Sequence, residues 1–273
     1  MIHRTWVCFA WALLASCAAE LEQSDALDAE RVAAVQQPII NGAPEPNANG
    51  LGIVKVGANG SNQLCAGILL GPRLVLTAAH CAEPDGVVYY SLDAEPAGWV
   101  ESWRRYPYED IAIGTLDADA MMGGRPAPTW PYGWYGDYAE NLRDVTLTCY
   151  GPGPTQFAAR NNGDFGNHEN LFHSANVTIT GVGWETGSGS GLTAVPTSNG
   201  QATFAGDSGG PCVRTLSDGR LQLTAVITKG SLRSDIDGTE DPTRATAVTK
   251  MTFVALTGDI TRWILPLDIG PIF

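Results

Sequence analysis

Three short segments, far apart in the chain, carry residue types able to do chemistry together. They are Leu74-Val75-Leu76-Thr77-Ala78-Ala79-His80-Cys81, Asp110-Ile111-Ala112-Ile113 and Gly206-Asp207-Ser208-Gly209-Gly210-Pro211-Cys212. A serine hydroxyl is a weak nucleophile at neutral pH, and attack on a carbonyl carbon requires a base to take its proton. An imidazole suits that role because it titrates close to neutrality. The imidazole in turn needs a carboxylate to fix its tautomer and stabilise its charged form. The oxyanion that forms on attack must be met by backbone N–H groups, and glycines beside the serine let the chain turn tightly enough to aim them. His80, Asp110, Ser208 and the glycines around Ser208 supply all four parts. Glu109 and Asp93 are the rival acids for Asp110.

Elements that could position these groups are short. With 32 Gly and 17 Pro in 273 residues, turns are frequent, and the apolar stretches between them favour Val, Ile, Leu and Thr. Such runs bounded by turn residues read as strands. One group runs over 53–56, 64–70, 74–78, 87–92 and 111–116, and a second over 145–150, 177–180, 211–215, 221–228 and 245–253. Between them lies a Pro- and Gly-rich crossing at 123–138, and residues 258–265 read as one short C-terminal helix. Closing each group into a barrel would remove exposed sheet edges.

The N-terminal residues have a different character. His3 and Arg4 precede an apolar stretch that ends near Ala19, shorter than the roughly 20 apolar residues that span a bilayer, which fits an export signal at 1–17. Leu14-Ala15-Ser16-Cys17 resembles a lipobox, in which Cys17 would be lipidated and serve as a membrane anchor; cleavage after Cys17-Ala18-Ala19 is the ordinary alternative. Residues 18–38 carry five acidic side chains against Arg31 alone and no aromatic, a composition suited to a tether or pro-segment and unable to build a core. Of six cysteines, four lie beyond Cys17, an even number in a chain bound for an oxidising compartment. The net charge of -13, with no basic run, excludes nucleic acid as an expected partner.

TAAHC, DIAI and GDSGGPC, in that order, with Ile39-Ile40-Asn41-Gly42-Ala43-Pro44 ahead of them, resemble the signature segments of the chymotrypsin and trypsin family. The resemblance runs from Ile39 to the final helix and implies an all-β protease domain over 39–273. That domain would hold two antiparallel six-stranded barrels, at about 39–124 and 139–257, and a C-terminal helix at about 258–265. It implies an exported, monomeric serine endopeptidase acting on protein or peptide substrates without cofactor or metal. Ser208 would be the nucleophile, His80 the base, Asp110 its orienting acid, and the N–H groups of Gly206 and Ser208 the oxyanion hole. It further implies disulfides Cys65–Cys81 and Cys149–Cys212, and a new N-terminus at Ile39 that pairs with Asp207 after cleavage. The residue before Ile39 is Pro38, where the family commonly has Arg or Lys, and Phe204 stands where the family has a cysteine. The aligned pocket residues are Ala202 at the base, Thr203, Thr228 to Gly230 as a substrate-pairing edge, and Thr246 as a narrowing residue. Ala202 in place of an acid implies uncharged, small or apolar substrate side chains. The competing function is a catalytically silent binding protein on a protease framework.

Other features carry blander expectations. Residues 181–191, rich in Gly and Ser, lack the Lys of a phosphate loop and read as a flexible surface loop. His168 and His173 lack zinc-like spacing, and Asp235, Asp237, Glu240 and Asp241 read as a solvated acidic loop. Trp99, Trp103, Trp130 and Trp134 read as core or cleft wall.

Overall fold

The computed structural model describes residues 39, 42–58, 64–90, 96–131, 133–152, 171–186, 188–203, 206–232 and 248–266. The signal and tether at 1–38, Cys17, Asp93, His168, Phe204, the acidic loop at 235–241 and Thr246 lie outside these residues.

Strands β1 to β7 span Ala43–Glu45, Ile53–Ala58, Leu64–Gly71, Leu74–Thr77, Gly86–Tyr89, Gly98–Arg105 and Ala112–Leu116, and a two-stranded ribbon, β8 and β9, spans Met121–Met122 and Arg125–Pro126. Strands β10 to β15 span Thr146–Gly151, Phe172–Val182, Gly191–Ala194, Pro211–Thr215, Leu221–Leu232 and Val248–Ala255, and a helix, α1, spans Gly258–Ile264. Strands β2-β3-β4-β7-β6-β5 close into one antiparallel barrel. Strands β11-β10-β13-β14-β15-β12 close into another through the β11–β12 pairing, with β1 added outside β11. Among the described residues the protein is thus two closed six-stranded antiparallel barrels with one short α-helix.

The strand sequences follow from where their two faces go. Along β4, Val75 points into the first barrel with Val54, Val56, Leu69, Val88 and Leu116. Leu74 and Leu76, on the opposite face, pack into a seam with Tyr150, Phe172, Val213 and Val226 of the second barrel and Ile260 and Ile264 of α1. A strand buried on both faces reads as a continuous apolar run. The interior of the second barrel holds Leu147, Val177, Ile179, Leu192, Ile227 and Phe253 around Cys149 and Cys212.

One strand is not read from the sequence, and three expectations are corrected. Residues 98–105 form β6, which its charged residues and a bulge between Val100 and Ser102 conceal, because the bulge breaks the two-residue alternation. Residues 181–191 are not a free loop: β11 runs to Val182, a 3₁₀ turn covers Gly183–Thr186, and Gly191 opens β12, whose buried residues GLTA close the barrel. The last strand described, Val248–Ala255, runs two residues past the expected end at 253, because β14 pairs with it from Leu232 back to Ala225. Trp99 is exposed rather than core, whereas Trp130 is buried in the seam.

Candidate active site

His80 sits where β4 ends. Four buried residues, Leu74 to Thr77, carry the strand into the seam, and the chain then turns through one 3₁₀ turn, Ala79–Cys81, that lifts the imidazole to the surface. The Cys65–Cys81 disulfide ties this turn to β3. Asp110 lies in the loop that follows β6, just before β7. Its Oδ2 is 2.7 Å from His80 Nδ1, and its Oδ1 accepts the His80 backbone N–H at 2.9 Å. Burial pushes the Asp110 carboxyl up, but the hydrogen bonds and charge of His80 and the backbone N–H of Ala79 outweigh it and hold its pKa below the ordinary carboxylate value. An ionised carboxylate has no proton to give, so Nδ1 carries the hydrogen and Nε2 is left as an acceptor.

Ser208 lies between β12 and β13 in a loop pinned to both barrels. Ala66 of β3 donates its N–H to the Ser208 carbonyl at 2.7 Å, and Gly209 and Gly210 donate to Ile227 and Asp207 at 2.7 and 2.9 Å. Gly209 has φ 83°, and its Cα faces Ala66 O and Thr77 Oγ1 so closely that any Cβ would collide with them. The Ser208 hydroxyl donates to Thr228 O at 3.3 Å, and among the described residues no hydrogen bond joins it to His80. Both residues approach Cys81. The imidazole lies within 4.8 Å of Cys81 Sγ, which is 3.9 Å from Ser208 O. Among the described residues the N–H groups of Gly206 and Ser208 have no acceptor, unlike those of Gly209 and Gly210. Two unengaged N–H groups flanking a serine in this way can receive an oxyanion.

The remaining expected residues fall as follows. Asp207 is fully buried, with its carboxylate against the backbone of Gly151, where a side chain could not fit. Ile39 is buried, at φ 45°, and its carbonyl accepts the Gly42 N–H at 2.6 Å. Ala202 and Thr203 are buried, and the Thr203 N–H meets Met251 Sδ at 3.1 Å while Thr203 Oγ1 has no partner among the described residues. Met251 of β15, opposite Gly230, therefore contributes to this region, although nothing in its local sequence marks it. Thr228 Oγ1 donates to Thr252 O at 3.0 Å. Both expected disulfides are present, Cys149–Cys212 directly across β10 and β13. The one group of three metal-ligand types among the described residues, Cys65, His80 and Cys81, contains that first disulfide and so offers no thiolate. Glu109, a rival acid by sequence, turns away from His80 and accepts the Ser190 N–H at 3.3 Å.

Two closed six-stranded antiparallel barrels followed by a short C-terminal helix are the chymotrypsin-like fold. Residues 39–118 match the family model described as Trypsin. Among solved structures the chain is similar to neuropsin, a serine protease expressed in the limbic system of mouse brain. The TM-score is 0.59 at 20% identity, covering 83% of this chain and 98% of that one. No curated protein matches the chain. The structural likeness shows the fold; the family match, over the segment that holds His80 and Asp110, supports a serine endopeptidase, a hydrolase. The two disulfides place it in an oxidising, exported setting. Among the described residues no helix is long and apolar enough to cross a membrane.

Proposed function

We propose that the chain cleaves peptide bonds through an acyl-enzyme, with Ser208 as nucleophile, His80 as general base and then general acid, and Asp110 as the group that orients His80. The observation that carries this reading is the paired bonding of Asp110 to His80, at Nδ1 and at the backbone N–H, which leaves Nε2 directed to accept a proton. In this reading the Ser208 hydroxyl, which donates to Thr228 O, turns to that base during catalysis, since catalytic hydrogen bonds of this kind commonly tighten only when substrate binds. Gly206 and Ser208 N–H groups receive the oxyanion; losing one such donor costs about 10²- to 10³-fold in turnover.

Ala202, Thr203, Thr228, Gly230 and Thr246 form the primary pocket. Its described members are uncharged, and Ala202 and Thr203 are buried, so small or apolar side chains are preferred over Arg or Lys. Cleavage before Ile39 frees an ammonium that pairs with buried Asp207, and Pro38 ahead of it, in place of Arg or Lys, argues against trypsin-like self-activation. With Cys17 lipidated, the same cut releases the domain from the membrane.

Labelling with a fluorophosphonate tests the reading. The processed wild-type protein incorporates one equivalent, and Ser208→Ala incorporates none. A wild type that stays unlabelled favours the silent binding protein instead.

A further inference from the structure

The proposed machinery is divided between two bodies: His80 and Asp110 belong to the first barrel, Ser208 to the second. Their separation depends on how the barrels are fastened across the seam. At the floor of the cleft, Ala66 N–H holds Ser208 O. The apolar seam and the Arg104 guanidinium, which donates to Trp263 O of α1, fasten the barrels as well, and a small rotation about Ser208 O would swing the imidazole toward or away from the serine. A directional fastening on the segment that carries Asp110 would limit that rotation.

The geometry points to Glu109 as that fastening, a positioning residue that acts through its neighbour Asp110. Its Oε1 accepts the N–H of Ser190, in the turn that opens β12. Ser190 is itself immobilised. Its carbonyl accepts Ala255 N–H at 2.8 Å, and its buried hydroxyl is 3.0 Å from that of Thr257, whose carbonyl begins α1 by accepting Thr261 N–H at 2.8 Å. Glu109 therefore grips a point where β12, β15 and α1 meet. Its own backbone is braced as well, because Glu109 O accepts Ile111 N–H and Ile111 O accepts Tyr106 N–H, both at 2.8 Å. The other end of this loop is held by Tyr106, whose ring lies 5.2 Å from that of Trp263 in α1. An edge-on aromatic contact tolerates sliding, whereas a carboxylate on a backbone N–H does not. Asp110 stands between the Glu109 grip and β7, so its carboxylate, and with it the imidazole, takes its position relative to the second barrel from Glu109.

This inference rests on the triad reading above, and the test separates the two. Glu109→Asp keeps the charge and loses the reach; Glu109→Gln keeps an oxygen at the same reach and loses the charge. In the processed full chain, active-site concentration is fixed by burst titration. The rate of fluorophosphonate labelling is then measured, together with kcat and KM on a neutral peptide anilide. A misplacement of about 1 Å costs catalysis about 10²-fold, so Glu109→Asp is expected to lose about 10- to 100-fold in labelling rate and kcat with KM little changed. Glu109→Gln stays within about 3-fold of wild type, as does a hydrogen bond that keeps its acceptor. A merely structural residue would lower the titrated active fraction and leave the rate per site alone. Glu109→Asp at the wild-type rate per site, or Glu109→Gln as slow as Glu109→Asp, overturns the inference. An unlabelled wild type instead overturns the triad reading.

Discussion

Replacing Gly209 by alanine should separate the two roles of the residue after the nucleophile. Gly209 and Gly219 share φ 83°, but a Cβ at 219 meets nothing within 4 Å, whereas one at 209 falls within 3.0 Å of Ala66 O and Thr77 Oγ1. Gly219→Ala, in the β13–β14 turn, therefore measures backbone strain alone, about 1 kcal/mol. Gly209→Ala carries the same strain plus overpacking of about 1–3 kcal/mol. Neither obstacle can yield cheaply: Thr77 Oγ1 donates to Ala66 O at 2.7 Å, and Ala66 N–H holds Ser208 O. The loop must instead retreat until contact at 3.4 Å or more is restored, which moves Ser208 away from the first barrel. A retreat of about 1 Å translates to about 10²-fold in rate. The assay is the fluorophosphonate labelling rate for both variants, alongside urea unfolding. Equal labelling rates for Gly209→Ala and Gly219→Ala would refute the reasoning, because the packing of Gly209 on Ala66 and Thr77 would then not position the serine.

Asp110→Asn should preserve the fold and lower kcat by about 10⁴-fold, since an amide can hold the wrong tautomer of His80; a loss under about 10-fold on peptide substrates would exclude Asp110 as the orienting acid. Opening the disulfides by paired Cys→Ala changes should cost about 3 kcal/mol for the 16-residue separation of Cys65–Cys81 and about 4 kcal/mol for the 63-residue separation of Cys149–Cys212, read from urea midpoints under non-reducing conditions. His173 is buried with Nδ1 unpartnered among the described residues, and burial holds its pKa below the ordinary value despite its bond to the Leu171 backbone. The unfolded chain thus binds the extra proton first, and stability falls as pH drops below about 6.5. His173→Phe should flatten that acid limb, and an unchanged slope between pH 7 and pH 5 would show that other groups set it.

The first barrel is largely legible because its strands are buried on both faces, so β4 and β7 stand out as apolar runs ending at His80 and beginning after Asp110. β6 is hidden, since only one face of it packs and a bulge disturbs the alternation. Glycine and serine around residues 181–191 mask β12, whose burial depends on partners in β11 and β15 far away in the chain. At the site, composition alone leaves Asp110, Glu109 and Asp93 open as the acid. In the folded chain the carboxylate of Asp110 meets His80, and that of Glu109 reaches Ser190 in the other barrel. Met251 could not be read from sequence either, because its contact with Thr203 depends on the register of β15 against β14.

The most direct measurement is a crystal structure of the fluorophosphonate-treated protein. The account predicts a covalent bond from Ser208 Oγ to phosphorus, with a phosphonyl oxygen about 2.7–3.1 Å from the N–H groups of Gly206 and Ser208 and His80 Nε2 facing the adduct. An adduct on any other residue, or one whose oxygen points away from those two N–H groups, would contradict it.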